Sequence, residues 1–238
     1  MTRADGARDV TASASAAYAS TVRASADPLA FAECSVPRVG AANQAADADF
    51  AFRQLAMSAA ARYRPAGRSS YYFARGKLGG DPVFAALLRD GRIRDDVRIV
   101  DVGCGLGILA AWLAAAEVCD PLSASEWPQT WAPPPKNWTL RGFDLRTRAI
   151  AAGQRALSDL GRRVAFNVGD VRGITLPACD VVVMFDVLHY MDRDAQQMLL
   201  KSAHKVLAPG DVLLLRVGDI SSNWRSRFTS MVDWWVTL

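Results

Sequence analysis

What this chain has little of narrows its function first. Its 238 residues hold four cysteines, Cys34, Cys104, Cys119 and Cys179, and neither their spacing nor their density suits a structural metal site or a disulfide scaffold. A reducing, cytoplasmic setting is expected. No apolar run reaches the roughly 20 residues that a bilayer-spanning helix needs. The N-terminal stretch lacks the compact hydrophobic segment of a secretory signal, and Asp5, Asp9 and Asp27 argue against a transit peptide. No membrane span is expected. Lysine occurs only as Lys77, Lys136, Lys201 and Lys205, so arginine carries the formal charge of +4. Heavy arginine and alanine use fits a GC-rich coding sequence as well as a polyanionic partner, which leaves nucleic acid disfavoured as a ligand. Histidine occurs twice, as His189 and His204.

What is present suits one folded unit. Half of the chain, 51%, is hydrophobic, enough for one sizeable core but short for two. Residues 1–48 are rich in Ala and Ser, contain Pro28 and Pro37 and lack a sustained apolar period, so a mobile tail is expected there. Residues 49–238 are expected to form a single domain.

The most informative segment is Arg98-Ile-Val-Asp-Val-Gly-Cys-Gly-Leu-Gly107 with the apolar stretch 108–116 behind it. It reads as strand, tight turn and helix. Glycines in such a turn let a ligand lie against bare backbone and take positive φ without penalty, and the turn aims the first N–H groups of the helix at that ligand. Gly103, Gly105 and Gly107 alternate, and Ile108 stands where a dinucleotide-binding G-x-G-x-x-G needs its third glycine. The fingerprint of nicotinamide-dependent enzymes is therefore not met.

Downstream, Trp138-Thr-Leu-Arg-Gly-Phe-Asp144, Val164-Ala-Phe-Asn-Val-Gly-Asp170 and Cys179-Asp-Val-Val-Val-Met-Phe-Asp186 are strand candidates that each end in an acid. Helical patterns cover 145–160 and 193–207, the second stopped by Pro209 and Gly210, and a fifth strand covers 212–217. This alternation predicts an α/β fold: a doubly wound, mostly parallel sheet of five core strands with helices on both faces. The terminal acids fall at the carboxyl ends of strands, where ligands bind in such sheets.

With Asp101 two residues ahead of the first glycine, and with the acids in this order, the stretch 81–217 resembles the class I (Rossmann-like) S-adenosylmethionine-dependent methyltransferases. The resemblance implies S-adenosylmethionine (SAM) as cofactor. It implies that Asp101, Gly103, Gly105 and Gly107 border the methionyl part and that Asp144 accepts hydrogen bonds from both ribose hydroxyls. Asp170, with Val171 beside it, would take the adenine amine. Asp186, followed by Val187 and Leu188, would line the mouth near the sulfonium. Each acid also has a plainer reading as a turn residue.

For chemistry, His189 follows this mouth directly and is the general-base candidate, set against a packing or capping role; Tyr190 is a weaker one. No Asn-Pro-Pro-Tyr or Asp-Pro-Pro-Tyr pattern follows the fourth strand. The expected reaction is O-methylation of a small molecule, free or carried on an acidic carrier protein, in lipid or secondary metabolism. A methyltransferase-like scaffold without turnover and a nucleotide-dependent oxidoreductase are the alternatives.

Three departures complete the reading. Asp144 lies 37 positions after Gly107, against roughly 20 in a compact unit. The surplus is a Pro- and Trp-rich insertion at 120–138, in which Trp127 and Trp131 either cover a substrate or fill a surface groove. The aromatic run Tyr71 to Phe73, interleaved with Arg62, Arg64, Arg68, Arg75 and Lys77, is expected to fold over the cofactor pocket, an anion-docking patch being the lesser reading. Finally, 223–236 has helical spacing and no antiparallel strand pair follows, so the fifth strand is expected to be an exposed edge open to homodimerisation.

Overall fold

The structure is a computed structural model that describes residues 41–118 and 127–217. Five strands, β1 (Arg98–Val102), β2 (Thr139–Asp144), β3 (Val164–Val168), β4 (Val181–Phe185) and β5 (Val212–Arg216), alternate with helices. Three helices precede the sheet: α1 (Ala41–Ala61), α2 (Arg68–Gly80) and α3 (Pro82–Arg89). Then α4 (Ile108–Val118) follows β1, α5 (Thr147–Ala156) follows β2, and α6 (Arg193–Val206) joins β4 to β5.

All strand pairs are parallel and the order is β3-β2-β1-β4-β5. The winding reverses between β1 and β4, so a crevice opens above the carboxyl ends of these two central strands. The expected fold class is met.

Strand alternation divides the core into two layers. Ile99, Val181, Val183 and Leu214 point to one face, where they join Leu55, Phe84, Trp112 and Ile150 from the helices. Val100, Val102, Val182 and Met184 point to the other, against Leu199 and Ala203 of α6 and Val171, Leu176 and Cys179 of the β3–β4 connection. That connection contains no α-helix, so α6 is the α-helix packed on the second face among the described residues. Residues 108–116 of α4 are all buried. A helix apolar on every side is one packed on every side, and α1 supplies the outer cover.

One expectation changes. Helix α1 begins at Ala41, inside the stretch expected to be mobile up to residue 48. Alanine has the highest helix propensity and does not need a strong apolar period to extend a helix, which is why amphipathic periodicity missed it. The remaining tail at 1–40, part of the insertion at 119–126 and the 223–236 segment lie outside the described residues.

The insertion from Trp127 onward is ordered, and it lies at the end of the sheet opposite the crevice. Ala132 N–H donates to the Arg89 carbonyl at 3.1 Å, Asp96 N–H to that of Lys136 at 3.0 Å and Thr139 N–H to that of Val97 at 2.9 Å. These partners flank the start of β1. Trp127 and Trp131 meet edge to face at 5.5 Å, and Trp131 is buried. Trp131 belongs to the core of the first face, with Trp127 packed against it, and it borders a surface cavity with Phe52, Asp81 and Arg89.

Candidate functional site

The crevice is built from the ends of β1, β2 and β4. In the turn after β1, Gly103, Gly105 and Gly107 all take positive φ, 75°, 55° and 74°, but their tasks differ. A Cβ on Gly107 would meet the Phe166 ring at 2.2 Å, and one on Gly103 would meet Val187 Cγ2 at 2.8 Å. These two are bare so that β3 and the β4 loop can close on the turn. Gly105 is buried, and the nearest outside neighbours of the Cβ position it leaves empty are the Arg146 guanidinium and the Asp144 carboxylate.

Asp144 ends β2 at 7% exposure. Its Oδ2 accepts from Gly105 N–H at 2.8 Å and its Oδ1 from Arg146 N–H at 2.8 Å. The Arg146 side chain adds Nε to Oδ1 at 3.2 Å and Nη2 to Oδ2 at 3.5 Å. The Gly169 N–H donates to the Asp144 carbonyl at 3.1 Å, which draws the end of β3 to that of β2.

Asp101 sits beneath the turn, also buried. Burial, with the Asp144 charge adding to it, pushes its carboxyl up to about 7. Burial likewise raises the neighbouring Cys104 thiol well above its ordinary value, so it stays protonated and is no nucleophile. Tyr63, fully buried at the end of the segment that leads out of α1, donates its hydroxyl to the Leu106 carbonyl at 3.0 Å.

A family model described as a methyltransferase domain matches residues 27–237. The chain belongs to the methyltransferase-domain family. Among curated proteins, it is 24% identical over 149 residues to the ribosomal RNA small subunit methyltransferase C of Alcanivorax borkumensis, a match covering 60% of this chain and 39% of the relative. The chain thus spans about two fifths of that relative's length. Among solved structures, a TehB-like SAM-dependent methyltransferase from Corynebacterium glutamicum is 17% identical with a TM-score of 0.41, covering 61% of this chain and 68% of the other. The YjhP protein of E. coli is 24% identical with a TM-score of 0.40, covering 56% and 47%.

In this methyltransferase domain most of the sequence-assigned residues fall at two stations. Asp101, the glycine turn and Asp144 come together at the ends of β1 and β2. Their chemistry fits a nucleoside: a buried carboxylate lies beside a turn whose Gly105 carries no side chain. Asp170 stands beyond β3, where Arg172 holds it through its side chain, at 2.5 Å for the closest contact, and through its backbone N–H at 3.0 Å. Those bonds hold its carboxyl down at about 2, and Asp170 carries the turn role as well. Val171 is buried in the core of the sheet's second face, so its side chain does not line the crevice.

Asp186 forms the second station and is not free. It takes φ 55°, unusual for a residue with a Cβ, and it is gripped by Arg216 through two hydrogen bonds and by Lys77 at 3.3 Å. Asp81, the N-cap of α3, closes the network with Arg216 at 2.5 Å and Lys77 at 2.9 Å. Asp186 thereby anchors the β4 turn to the α2–α3 junction. His189 follows in a short 3-10 turn, its ring 4.0 Å from that of exposed Tyr190 and tilted 44° to it. His189 Nδ1 is buried with no hydrogen-bond partner among the described residues.

Sequence reasoning missed four participants. Arg146, Tyr63 and Arg216 reach the site through long-range or side-chain geometry that no local pattern announces. Phe166 had a signal, an aromatic on the third strand opposite a glycine-rich turn. The expected cover from Tyr71 to Phe73 is corrected: these lie on α2, with Tyr72 58% exposed and Tyr71 and Phe73 packed against the helical layer. Tyr63 and Lys77 are the residues of the leading segment that reach the turn and Asp186.

Proposed function

We propose that this methyltransferase domain transfers the methyl group of SAM to oxygen on a small-molecule acceptor. The observation that carries the reading is the bare Gly105 face against the buried Asp144 carboxylate, at the point where the parallel sheet reverses its winding. SAM supplies a methyl group that is already electrophilic, so the chain's residues need only bind, orient and exclude water. Asp144 takes the ribose hydroxyls, Asp170 the adenine amine, and the Gly103 to Gly107 turn the methionyl part, above Asp101.

An oxygen acceptor must also lose a proton. His189 is the base in this reading: it follows β4 directly, and an unpartnered Nδ1 keeps its acceptor capacity unspent. The acceptor is a lipid or secondary-metabolite intermediate, free or carrier-borne, met in the cytoplasm. Among the described residues no helix is long and apolar enough to cross a membrane. Strand β5 stands at a sheet edge among the described residues, where a second copy would pair.

The test is calorimetric titration with S-adenosylhomocysteine (SAH) and, in parallel, NAD, with light scattering for the oligomeric state. Micromolar binding of SAH alone, abolished in Asp144→Ala, is the expected result. Tight NAD binding, or a folded protein that binds neither, would overturn the reading. Once an acceptor is found, His189→Gln should lose turnover by about 100-fold or more and keep its SAH affinity.

A further inference from the structure

The four donors around Asp144 account for its whole accepting capacity. A carboxylate offers about four lone-pair positions, two on each oxygen. Backbone N–H groups take one on each: Gly105 on Oδ2 and Arg146 on Oδ1, both at 2.8 Å. The Arg146 guanidinium takes the other on each, Nε at 3.2 Å and Nη2 at 3.5 Å. The same Nη2 lies 3.0 Å from where a Cβ on Gly105 would sit. One side chain therefore covers both features that make the crevice a nucleoside site.

The backbone and side-chain bonds differ in permanence. Gly105 N–H is fixed by the turn, and Arg146 N–H by its place at the start of α5. The guanidinium bonds are longer, their side chain is 31% exposed, and among the described residues no second carboxylate ties it. It can swing into water without disturbing either backbone bond.

We propose that Arg146 is a built-in competitor for the nucleoside end of the cofactor site, one that a ribose must displace from Asp144 before it can bind. The inference rests on the reading of the site as a SAM pocket. In the resting protein Asp144 is paired with the guanidinium and its outward lone pairs are spoken for. Ribose hydroxyls take those positions only as the guanidinium leaves. Apparent affinity is reduced by the fraction of molecules in which the carboxylate is already free, so Arg146 tunes the cofactor affinity downward and makes it sensitive to ionic strength.

Calorimetry of the full chain with SAH tests this in the parent, Arg146→Ala, Arg146→Lys and Asp144→Ala. Arg146→Ala should bind about three- to tenfold tighter, with Arg146→Lys, which keeps the charge but loses the fork, in between. Raising NaCl from about 0.05 to 0.5 M screens the ion pair and should tighten binding to the parent, while Arg146→Ala shows no such gain. SAH is a net-neutral zwitterion, so this slope reports the protein's own pair. A purely structural role for Arg146 would not create it.

If Arg146→Ala binds equally well or more weakly while Asp144→Ala loses binding, the competitor role is overturned and the SAM reading stands. If neither the parent nor Arg146→Ala binds SAH, both fall together. Should Arg146→Ala fail to melt cooperatively, the parent's salt slope set against that of Arg146→Lys decides the point: equal slopes, or none, overturn the proposal.

Discussion

The Tyr63 hydroxyl donates to the Leu106 carbonyl at 3.0 Å, in a position with no solvent exposure. This bond is the tie between the helical segment that precedes the sheet and the glycine turn that follows β1. Burial, with the nearby Cys104 and Asp101 adding to it, raises the phenol above its ordinary value, so it donates at every accessible pH. Tyr63→Phe keeps the ring in its packing and removes the donor. The variant should lose about 1–2 kcal/mol by denaturant unfolding, and SAH binding should weaken as the turn loosens. An unchanged midpoint together with unchanged affinity would show that the turn holds itself.

Asp101 makes the chain's pH dependence unusual. Its carboxyl titrates at about 7 in the folded protein against an ordinary 3.8. Between those values the folded state holds a proton that the unfolded state has released. The contribution of this group to stability is therefore full below pH 3.8, declines as pH rises through the window and levels off above about 7. The span corresponds to an order of 4 kcal/mol at most. Asp101→Asn has nothing to titrate there, so its stability relative to the parent should grow steadily from about pH 4 to about pH 7. Thermal melts of both proteins across that range provide the check, and parallel curves would refute the assignment.

The glycine turn separates folding from binding. In Gly107→Ala the new Cβ meets the Phe166 ring at 2.2 Å with φ at 74°, a clash with a buried side chain added to left-handed strain. A loss of several kcal/mol or failure to fold is expected, from overpacking of about 1–3 kcal/mol and strain of about 1–2 kcal/mol. In Gly105→Ala the Cβ meets the end of the Arg146 side chain at 3.0 Å, and that flexible group can move. Only the strain remains, so this variant should fold with a loss of about 1–2 kcal/mol and yet bind SAH far more weakly, since the methyl group stands on the ligand face. Equal stability losses in the two variants would mean that the turn has no separate ligand face.

These contrasts mark what could be read in the chain and what could not. The acids at the ends of β1, β2 and β4 and the glycine turn were legible, because strand ends and turns impose local chemistry on the residues that make them. The reversal of the sheet followed from strand–helix alternation. What each acid binds was not legible. Asp186 and Asp170 look equivalent to Asp144 in sequence, yet one is held by Arg216, 30 positions away, and the other by Arg172, its next neighbour but one. An arginine's partner depends on where its long side chain is aimed by tertiary packing, and local periodicity carries no record of that. The tryptophans of the insertion show the same limit: their apolarity predicted that they pack, and only the path of the chain decided at which end of the sheet.

The network of Arg216, Asp186, Asp81 and Lys77 yields the last prediction. It balances two cations against two carboxylates, and Arg216 is its hub, at 17% side-chain exposure and in contact with both acids. Burial alone would raise Asp81, but the hydrogen bond from Arg216 and the charge of Lys77 outweigh it and hold the carboxyl below its ordinary value. Burial would likewise favour loss of the Arg216 proton, and its two acid partners override that. With the Asp81 value depressed, its stabilisation is present at neutral pH and is lost as pH falls below 3.8 toward the folded-state value. Arg216→Met removes the hub and leaves two acids to share Lys77. A cost of about 2–3 kcal/mol is expected, below that of breaking a fully buried pair because Asp186 stays partly solvated, and the acid-unfolding midpoint should rise. Lys77→Met should do the same to a smaller extent. The β4 turn that carries His189 hangs from this network through Asp186, so Arg216→Met should also broaden or shift the His189 ring resonances in proton–nitrogen spectra while those of His204, on the distant face of α6, stay in place. Loss of stability with an undisturbed His189 would reduce the network to a clamp between helix and sheet.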